Sequence, residues 1–183
     1  MKSPYLRSYL TCEEVIGIRK AFTFDVDGVI VDASRRYRLA KELAHNKQEF
    51  WRMFFSEELL ELDKPRATGV ELIKERSKKG LILLVTGRPQ KLLKVTLKQV
   101  MDFTGVRPKY IYMRRSGDMR SSPTVKLELI DRALSDGFSI VEYHDDEVDV
   151  LRNLMKLHPE ITLYLHYNNS YKLFSAGNPY DYD

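Results

Sequence analysis

The chain alternates short apolar runs, rich in β-branched residues, with longer stretches in which apolar residues recur every three or four positions. Five of the short runs predict β-strands, at residues 21–26, 81–86, 110–113, 139–144 and 161–166. Several of these runs are almost continuously apolar, which is typical of parallel strands that are covered on both faces.

Amphipathic stretches between these runs predict four helices, at residues 68–79, 89–103, 122–136 and 147–157. Thr68, Pro89 and Pro123 are residue types that favour helix starts. Gly80 and Gly137 follow the ends of two of the helices. Strands and helices that alternate in this way form right-handed crossovers. The chain is therefore predicted to be an α/β protein, a three-layer sandwich around a parallel, Rossmann-like sheet.

Two segments do not follow this alternation. Residues 33–62 have a helical pattern, and we interpret their large aromatic residues mainly as core: Phe50, Trp51, Phe54 and Phe55. The C-terminal stretch 167–183 is rich in tyrosine and fits either an ordered or a frayed tail. We expect one domain over residues 1–183, with a small helical insert at about 33–62 and a tail at about 167–183.

The composition fits a soluble globular domain. Of 183 residues, 43% are hydrophobic and 31% are charged, which excludes collagen-like, low-complexity and wholly disordered chains. The longest aliphatic run, residues 81–85, is far below the roughly 20 residues of a membrane span, and residues 1–20 do not resemble a signal peptide. Cys12 is the only cysteine, so neither an intrachain disulfide nor a thiolate metal site is expected. These features favour a cytoplasmic protein without a membrane partner.

The formal net charge is +4. Such a mildly basic balance permits a polyanionic partner without requiring one. Basic side chains are grouped at residues 35–41 and 114–120, and acids are concentrated at residues 142–149. Charge runs of this kind are usually solvated surface, so by themselves they indicate no function.

Groups with possible catalytic or binding roles follow several of the predicted strands, and one lies in a predicted helix. In chain order they are Asp25 and Asp27 after the first strand, Thr86 and Gly87 after the second, Lys126 in the third predicted helix, and Asp145 and Asp146 after the fourth strand. Ligands of parallel α/β sheets bind beyond the carboxyl ends of the strands, so we expect these groups to meet at one edge of the sheet.

Each of these groups has an ordinary explanation by itself, as a turn, a loop or a solvated charge. Together they predict a phosphoryl-transfer site, in which a carboxylate cluster binds Mg²⁺ beside a threonine hydroxyl, a lysine and backbone amides. Oxygen ligands without cysteine or clustered histidine argue against zinc.

These residues resemble the four ordered motifs of the haloacid dehalogenase (HAD) superfamily of phosphohydrolases. The resemblance rests on Asp25-Val-Asp-Gly-Val-Ile, Thr86-Gly-Arg-Pro, Lys126 and His144-Asp-Asp, and it covers about residues 22–165. The second aspartate of the first motif, Asp27, favours the phosphatases of the superfamily, because dehalogenases usually lack it.

The segment around Lys126 has a narrower resemblance. Residues 113–130 resemble the corresponding segment in the 3′-phosphatase domain of phage-type polynucleotide kinase-phosphatases. The acids that commonly precede the lysine in that group are replaced here by Ser121, Ser122 and Pro123. The chain lacks a Gly-x-x-x-x-Gly-Lys-Ser/Thr P-loop, so the resemblance implies no kinase activity.

The resemblance implies a two-step hydrolysis of a phosphomonoester. In this hypothesis Asp25 attacks phosphorus and forms an aspartyl-phosphate, while Asp27 protonates the leaving group and later activates water. Thr86 and the Gly87 amide would bind the phosphoryl oxygens. Lys126 would offset negative charge on the nucleophile and on the phosphate.

Mg²⁺ is the expected cofactor. Its ligands would be the Asp25 carboxylate, the Asp27 backbone carbonyl and Asp146, with Asp145 behind them. A second register, in which Asp145 binds the ion directly and Asp149 joins it, stays open.

The small insert leaves the predicted site open, which suits a large phosphorylated substrate such as a nucleic-acid 3′ end. Arg36 and Arg88 are expected to contact the substrate, because the polynucleotide-phosphatase group has arginines at equivalent places, and Arg120 is a further candidate. Two other functions stay open from the residues: a phosphatase for a small metabolite or free nucleotide, and a non-catalytic HAD-like binding protein.

Overall fold

A central β-sheet organises the part of the chain that this computed structural model describes, residues 19–175. The strands are β1 (Arg19–Phe24), β2 (Val31–Asp32), β3 (Lys64–Pro65), β4 (Leu81–Pro89), β5 (Tyr110–Arg114), β6 (Phe138–Asp145), β7 (Thr162–Tyr167) and β8 (Ser170–Leu173). Six of them form one sheet in the order β5-β4-β1-β6-β7-β8, and β2 pairs with β3. All neighbours in the six-stranded sheet are parallel except β7 and β8.

Helices cover both faces of this sheet. They are α1 (Ser34–Leu43), α2 (Lys47–Phe54), α3 (Glu57–Leu60), α4 (Ala67–Ser77), α5 (Leu93–Thr104), α6 (Ser122–Ser135) and α7 (Val148–Leu157). The apolar sides of α4 and α5 pack on one face, and those of α6 and α7 pack on the other. The predicted three-layer α/β sandwich is confirmed. Within residues 19–175, no helix combines the length and apolar character that a membrane crossing requires.

The apolar core is divided by the sheet into two clusters. Side chains alternate between the faces of a strand, so the neighbours Leu83 and Leu84 of β4 belong to different clusters. Leu83 shares its cluster with Ile130 of α6, and Leu84 shares the other with Ile73 of α4. All four side chains are fully buried. Burial on both faces explains why the central strands are continuously apolar in sequence.

Three helices, α1 to α3, form the insert between β2 and β3. Asn46 and Ser56 cap α2 and α3, because their side-chain oxygens accept hydrogen bonds from backbone amides three residues further along. Phe54 is buried, as expected for a core residue, but Trp51 is 37% exposed. The interpretation of these aromatic residues as core therefore holds only in part.

The end of β4 differs from the prediction. Pro89 has extended backbone angles and still belongs to the strand, and a short 3₁₀ turn, Gln90–Leu92, leads into α5. The pairing of β4 with β5 moves from Thr86 directly to Pro89, so Gly87 and Arg88 form a bulge. The bulge lies at the carboxyl end of the sheet, where the site is expected.

The C-terminal part of the fold is tied to α4. This helix begins at Ala67 rather than after an N-capping Thr68, and the Thr68 hydroxyl donates a hydrogen bond to the Asn169 carbonyl instead. Asn169 lies in the turn between β7 and β8. The stretch expected as a tail thus begins with an ordered antiparallel strand, and its tyrosines Tyr180 and Tyr182 lie outside the described residues.

Candidate active site

The carboxyl ends of β1, β4 and β6 meet at one edge of the sheet. Because β1 lies between β4 and β6, Asp25, Thr86 and Asp145 come together there. Lys126 reaches the same place from the early part of α6. A cavity of about 1210 Å³ opens above these groups. The predicted site residues that line it are Asp25, Asp27, Thr86, Gly87, Arg120, Lys126 and Asp146.

Lys126 joins three carboxylates of the site. Its ammonium nitrogen Nζ lies 2.7 Å from Asp25 Oδ2, 2.9 Å from Asp145 Oδ2 and 2.7 Å from Glu147 Oε1. The side chain is only 1% exposed. Burial alone would lower the pKa of Lys126, but Asp145 and Asp25 outweigh this effect and hold the pKa well above its usual value. These two carboxylates therefore favour the charged ammonium form of Lys126.

Asp25 is a buried carboxyl group directly after β1. Its Oδ1 accepts a hydrogen bond of 2.7 Å from the Val26 amide, and its Oδ2 accepts one from Lys126. Burial raises the pKa of Asp25 well above its usual value. Lys126 opposes this rise, and repulsion from Asp145 and Asp146 adds to it. A further cation at this place would favour the ionised form of Asp25.

Asp145 is fully buried at the end of β6. Besides Lys126, the Tyr143 hydroxyl donates a hydrogen bond of 2.7 Å to it, and the Glu147 amide donates one of 2.9 Å. Its carboxylate oxygens are therefore occupied by contacts within the protein.

Asp146 is open to the cavity and lies against Gly28. Gly28 has a φ of 82°, and a Cβ there would lie 1.9 Å from Asp146 Oδ2, so only glycine fits. Desolvation by the surrounding protein and repulsion from Asp145 raise the pKa of Asp146 to about 7. Asp25, Asp145, Asp146 and Glu147 each offer a carboxylate oxygen, and these oxygens lie within 4.8 Å of one another. Such a set of oxygen ligands suits Mg²⁺.

Glu147 is a further residue of the site, which the sequence placed in the acidic run after the fourth strand without an individual role. Its Oε1 accepts hydrogen bonds from Lys126 Nζ at 2.7 Å and from the Ser122 hydroxyl at 2.6 Å. Burial would raise the pKa of Glu147, but Lys126 and Ser122 outweigh it and lower the pKa. Glu147 thus brings a third carboxylate to Lys126. The acidic run at residues 142–149 indicated that acids gather here, but spacing alone does not show which of them faces Lys126.

Asp27 faces the cavity, and two buried arginines bind its carboxylate from behind. Arg88 donates hydrogen bonds from Nε and Nη2 at 3.0 Å and 2.6 Å, and Arg36 donates one from Nη2. Burial alone would raise the pKa of Asp27, but Arg88 and Arg36 outweigh it and lower the pKa. The carboxylate is thus engaged, which leaves the Asp27 backbone carbonyl as the group predicted to bind a metal.

The structure does not place Arg36 and Arg88 where a substrate would touch them, which corrects the expectation from the sequence. Neither side chain has any exposed surface. Their remaining donors are bound within the protein, by the Phe54 carbonyl for Arg36 and by the Gln99 side chain for Arg88. Their direct contact with the cavity is through Asp27, whose carboxylate both of them bind.

Asp63 completes this buried network and was missed in the sequence. Its side chain is 0% exposed. Oδ1 accepts a hydrogen bond of 2.9 Å from Arg36, and Oδ2 accepts bonds of 3.2 Å from Arg88 and Gln99. Burial raises the pKa of Asp63 despite these donors. A single aspartate between Leu62 and Lys64 carries no local signal for such a role.

Thr86 and Gly87 line the cavity on the β4 side. Thr86 is buried, and its hydroxyl oxygen accepts a hydrogen bond of 3.3 Å from the Arg88 amide. The Gly87 carbonyl accepts one of 2.9 Å from Arg114 Nε. These two hydrogen bonds fix the backbone of the bulge at the side of the cavity.

Arg120 lines the cavity at a half-exposed position. Its Nη2 lies 2.6 Å from Asp118 Oδ2 and 2.7 Å from Glu128 Oε2. Contact between Arg120 and a substrate stays a prediction.

Several solved structures share this fold. A chain of the Pnkp1/Rnl/Hen1 complex matches with a TM-score of 0.61 and 14% identity, over 81% of this chain and 46% of that chain. A haloacid dehalogenase-like hydrolase from Streptococcus pneumoniae matches with a TM-score of 0.55 and 16% identity, over 81% of this chain and 84% of the other. CbbY from Rhodobacter sphaeroides, solved in complex with phosphate, matches with a TM-score of 0.53 and 13% identity, over 88% and 92%.

At such identities these likenesses show the fold alone. The chain spans just under half the length of the first of these structures. Among curated proteins, none matches this chain significantly.

The sequence also matches a family model, described as the polynucleotide kinase PNKP phosphatase domain. The match covers residues 19–160, which is well over half of the chain. It runs from β1 to the end of α7 and includes every site residue described above. The chain therefore belongs to the PNKP phosphatase-domain family and is a phosphatase of the HAD type.

Proposed function

We propose that the protein is a Mg²⁺-dependent phosphomonoesterase that acts through an aspartyl-phosphate on the 3′-phosphate ends of nucleic acids. The main support is the Asp25 carboxyl group, held 2.7 Å from the Lys126 ammonium on the floor of an open cavity. Membership of the phosphatase family supports the reaction, and the volume of the cavity, about 1210 Å³, supports a large substrate.

Asp25 is the proposed nucleophile. Its carboxylate attacks phosphorus, the bond between phosphorus and the ester oxygen breaks, and an aspartyl-phosphate forms. The Val26 amide orients Oδ1, and Lys126 offsets the negative charge. Thr86 and the Gly87 amide, which line the same cavity, are proposed to bind the phosphoryl oxygens.

Asp27 is proposed to carry the proton. It gives one to the leaving ester oxygen and takes one from the water that cleaves the aspartyl-phosphate, so both carboxyl groups are restored. Arg88 and Arg36 lower the pKa of Asp27 despite its burial, which favours the carboxylate that accepts the water proton. A phosphoryl dianion beside Asp27 acts in the opposite direction and favours its protonated form in the first step.

Mg²⁺ is the proposed cofactor, and the residues present fit it. Asp25 and Asp146 offer carboxylate oxygens at the cavity, whereas Asp145 is occupied by hydrogen bonds within the protein. This favours Asp146 as the direct ligand. Asp149 pairs with Arg152 on the surface at 3.0 Å and lies outside the cluster. When bound, Mg²⁺ would offset the clustered negative charge and polarise the phosphoryl group.

Phosphate release from a matched panel tests this proposal. The panel contains DNA and RNA oligonucleotides with a 3′- or a 5′-phosphate, 3′-mononucleotides and glycerol 2-phosphate, each with Mg²⁺ or with EDTA. We expect Mg²⁺-dependent release from the 3′ ends, with a rate that falls steeply with salt because nucleic-acid binding releases counterions.

The variant Asp25→Asn is the control for the chemistry. It should lose turnover by at least about 1000-fold and keep the circular dichroism spectrum of the wild type. Release from glycerol 2-phosphate but not from 3′ ends would favour a small-metabolite phosphatase instead. No release from any substrate would favour a binding protein.

A further inference from the structure

The cavity extends beyond the catalytic floor and has an aromatic wall. This outer part is lined by helices α1 and α2 of the insert and by the loop 115–121 after β5. Three of its large apolar side chains are exposed: Trp51 at 37%, Tyr37 at 47% and Met119 at 69%. Single exposed apolar residues are common, but several around one cavity mark a binding surface.

Trp51 is held rigidly within this wall. Its ring stacks on Phe55 with 5.6 Å between the ring centroids and 16° between the planes. Phe50 and Phe54 contact it edge-on, with centroid distances of 4.9 Å and 5.7 Å. The indole is thus fixed by its neighbours while more than a third of the residue stays accessible. A preordered aromatic ring of this kind suits the stacking of an unpaired nucleobase.

Cationic side chains accompany the aromatic wall. Arg38 and Lys47 come from the insert, and Lys91 and Arg115 come from the segments that follow β4 and β5. Lys91 interacts electrostatically with Glu58, whereas Arg38, Lys47 and Arg115 take part in none of the salt bridges found within residues 19–175. Cations beside a stacking ring are complementary to the phosphates of a nucleic-acid strand.

We infer that the outer cavity is a binding subsite for a single-stranded nucleic-acid 3′ end. A base of the strand stacks on Trp51, and neighbouring phosphates contact Arg38, Lys47 and Arg115. We take the strand to be single because an unpaired base can leave the stack and place a face on Trp51, whereas within a duplex only the terminal base pair has a free face. The inference rests on the proposed function, since the 3′-phosphate must reach Asp25 in the same cavity.

Fluorescence gives a direct test, because Trp51 is the only tryptophan of the chain. Binding is measured with the Asp25→Asn variant, so that the substrate is not consumed. A 3′-phosphorylated single strand should quench the tryptophan emission. A strand whose 3′-terminal residues are abasic should quench it far less. Equal quenching by both strands would overturn the inference.

Kinetics give the second test. Trp51→Ala should lower kcat/KM for the 3′-phosphorylated single strand by about 10- to 100-fold, the range expected for the loss of one base stack. It should leave the already lower kcat/KM for the abasic strand unchanged. Trp51→Phe should keep most of the activity, and Leu157→Ala, an exposed apolar position outside the cavity, should match the wild type.

The remaining outcomes test the proposed function and the stacking subsite separately. If the wild type releases phosphate from no 3′ end, the proposed function fails. If it does release phosphate but Trp51→Ala behaves as the wild type, or loses equally on both strands, only the stacking subsite is refuted. A loss confined to the strand with intact bases supports it.

Discussion

Arg88 holds the carboxylate of Asp27 by two parallel hydrogen bonds, from Nε to Oδ2 at 3.0 Å and from Nη2 to Oδ1 at 2.6 Å. Two such bonds fix the plane of the carboxylate as well as its position. Arg88 is in turn bound by Asp63 and Thr96 and has no exposed surface. The buried core of the protein therefore sets the orientation of Asp27.

Replacing this arginine should impair both stability and the proposed proton transfer. Arg88→Lys keeps the charge but cannot make the paired contact, so we expect a loss of about 2 kcal/mol in the free energy of unfolding. The variant also weakens the interaction that lowers the pKa of Asp27. The acidic limb of the kcat profile should move to higher pH, and kcat at neutral pH should fall at least about tenfold.

Urea unfolding and kcat measured from pH 5 to 9 check this prediction. Arg107→Lys, at an exposed position outside the cavity, is the matched control and should change neither quantity. An Arg88→Lys enzyme with the wild-type acidic limb would show that the arginine does not tune Asp27.

Replacing Asp146 should distinguish its role in Mg²⁺ binding from its effect on the stability of the fold. The raised pKa of Asp146 means that its ionised form is unfavourable in the folded protein without a cation. In EDTA at pH 8, Asp146→Asn should therefore unfold at a higher temperature than the wild type. Added Mg²⁺ should raise the melting temperature of the wild type and leave that of Asp146→Asn unchanged.

Asp149→Asn is the matched control for this experiment. Its carboxylate is 75% exposed and pairs with Arg152, so the variant should respond to Mg²⁺ as the wild type does. Loss of the Mg²⁺ response in Asp149→Asn would favour the second metal register instead.

Two glycines with positive φ should respond differently to alanine. At Gly105, φ is 68° and a Cβ would have no neighbour within 4 Å, so Gly105→Ala should cost only about 1 kcal/mol of backbone strain. At Gly28, the Cβ would also collide with Asp146. Gly28→Ala should lose clearly more stability in chemical unfolding, and most of its phosphatase activity as well. Equal effects of the two substitutions would contradict the close contact between Gly28 and Asp146.

A buried histidine pair behind the site should make stability depend on pH. His144 Nδ1 and His166 Nε2 are 3.1 Å apart. Burial, together with the charges of His144 and Arg66, lowers the pKa of His166 to about 3. The unfolded chain takes up this proton near pH 6.5, so the contribution of His166 is complete above that pH and is lost as the pH falls toward 3.

Comparison with His166→Gln isolates this effect. Between pH 6.5 and 5.5 the wild type should lose about 1 kcal/mol more of its free energy of unfolding than the variant does. Urea unfolding at several pH values measures the difference, with His45→Gln, at an exposed position, as the control. Parallel pH profiles for the wild type and His166→Gln would disprove the assignment.

The central strands could be predicted from the sequence, because burial on both faces of the sheet gives them continuous apolar runs. Strand β8 was not, since its residues are mostly exposed at the edge of the sheet and their tyrosines resemble a tail. The bulge in β4 was missed for a similar reason. Pro89 fits a helix start as well as an extended strand end, and only the pairing with β5 distinguishes them.

For the site, the positions of residues relative to the predicted strands could be used to predict which groups meet. Contacts between residues far apart in the chain could not be predicted. Asp25 and Asp145 both follow parallel strands, whose carboxyl ends share one edge of the sheet, and the alternation of strands and helices already implies this. The strand order, which makes β1 and β6 neighbours, was seen only in the structure. The burial of Arg36 depends on contacts with Asp63, 27 residues away, and these follow from how the insert folds. No spacing in the sequence reports such a contact.

The insert is fastened to the sheet by the same ion pairs that orient Asp27. Arg36 belongs to α1 and Arg88 to β4, and each contacts both Asp27 and Asp63. Swinging the insert away as a hinged flap would separate Arg36 from Asp27 and Asp63 from Arg88. These buried charges would then lose partners, at high energetic cost. These ion pairs therefore favour an insert that keeps its place beside the cavity, so that the cavity stays open without a hinge motion of the insert.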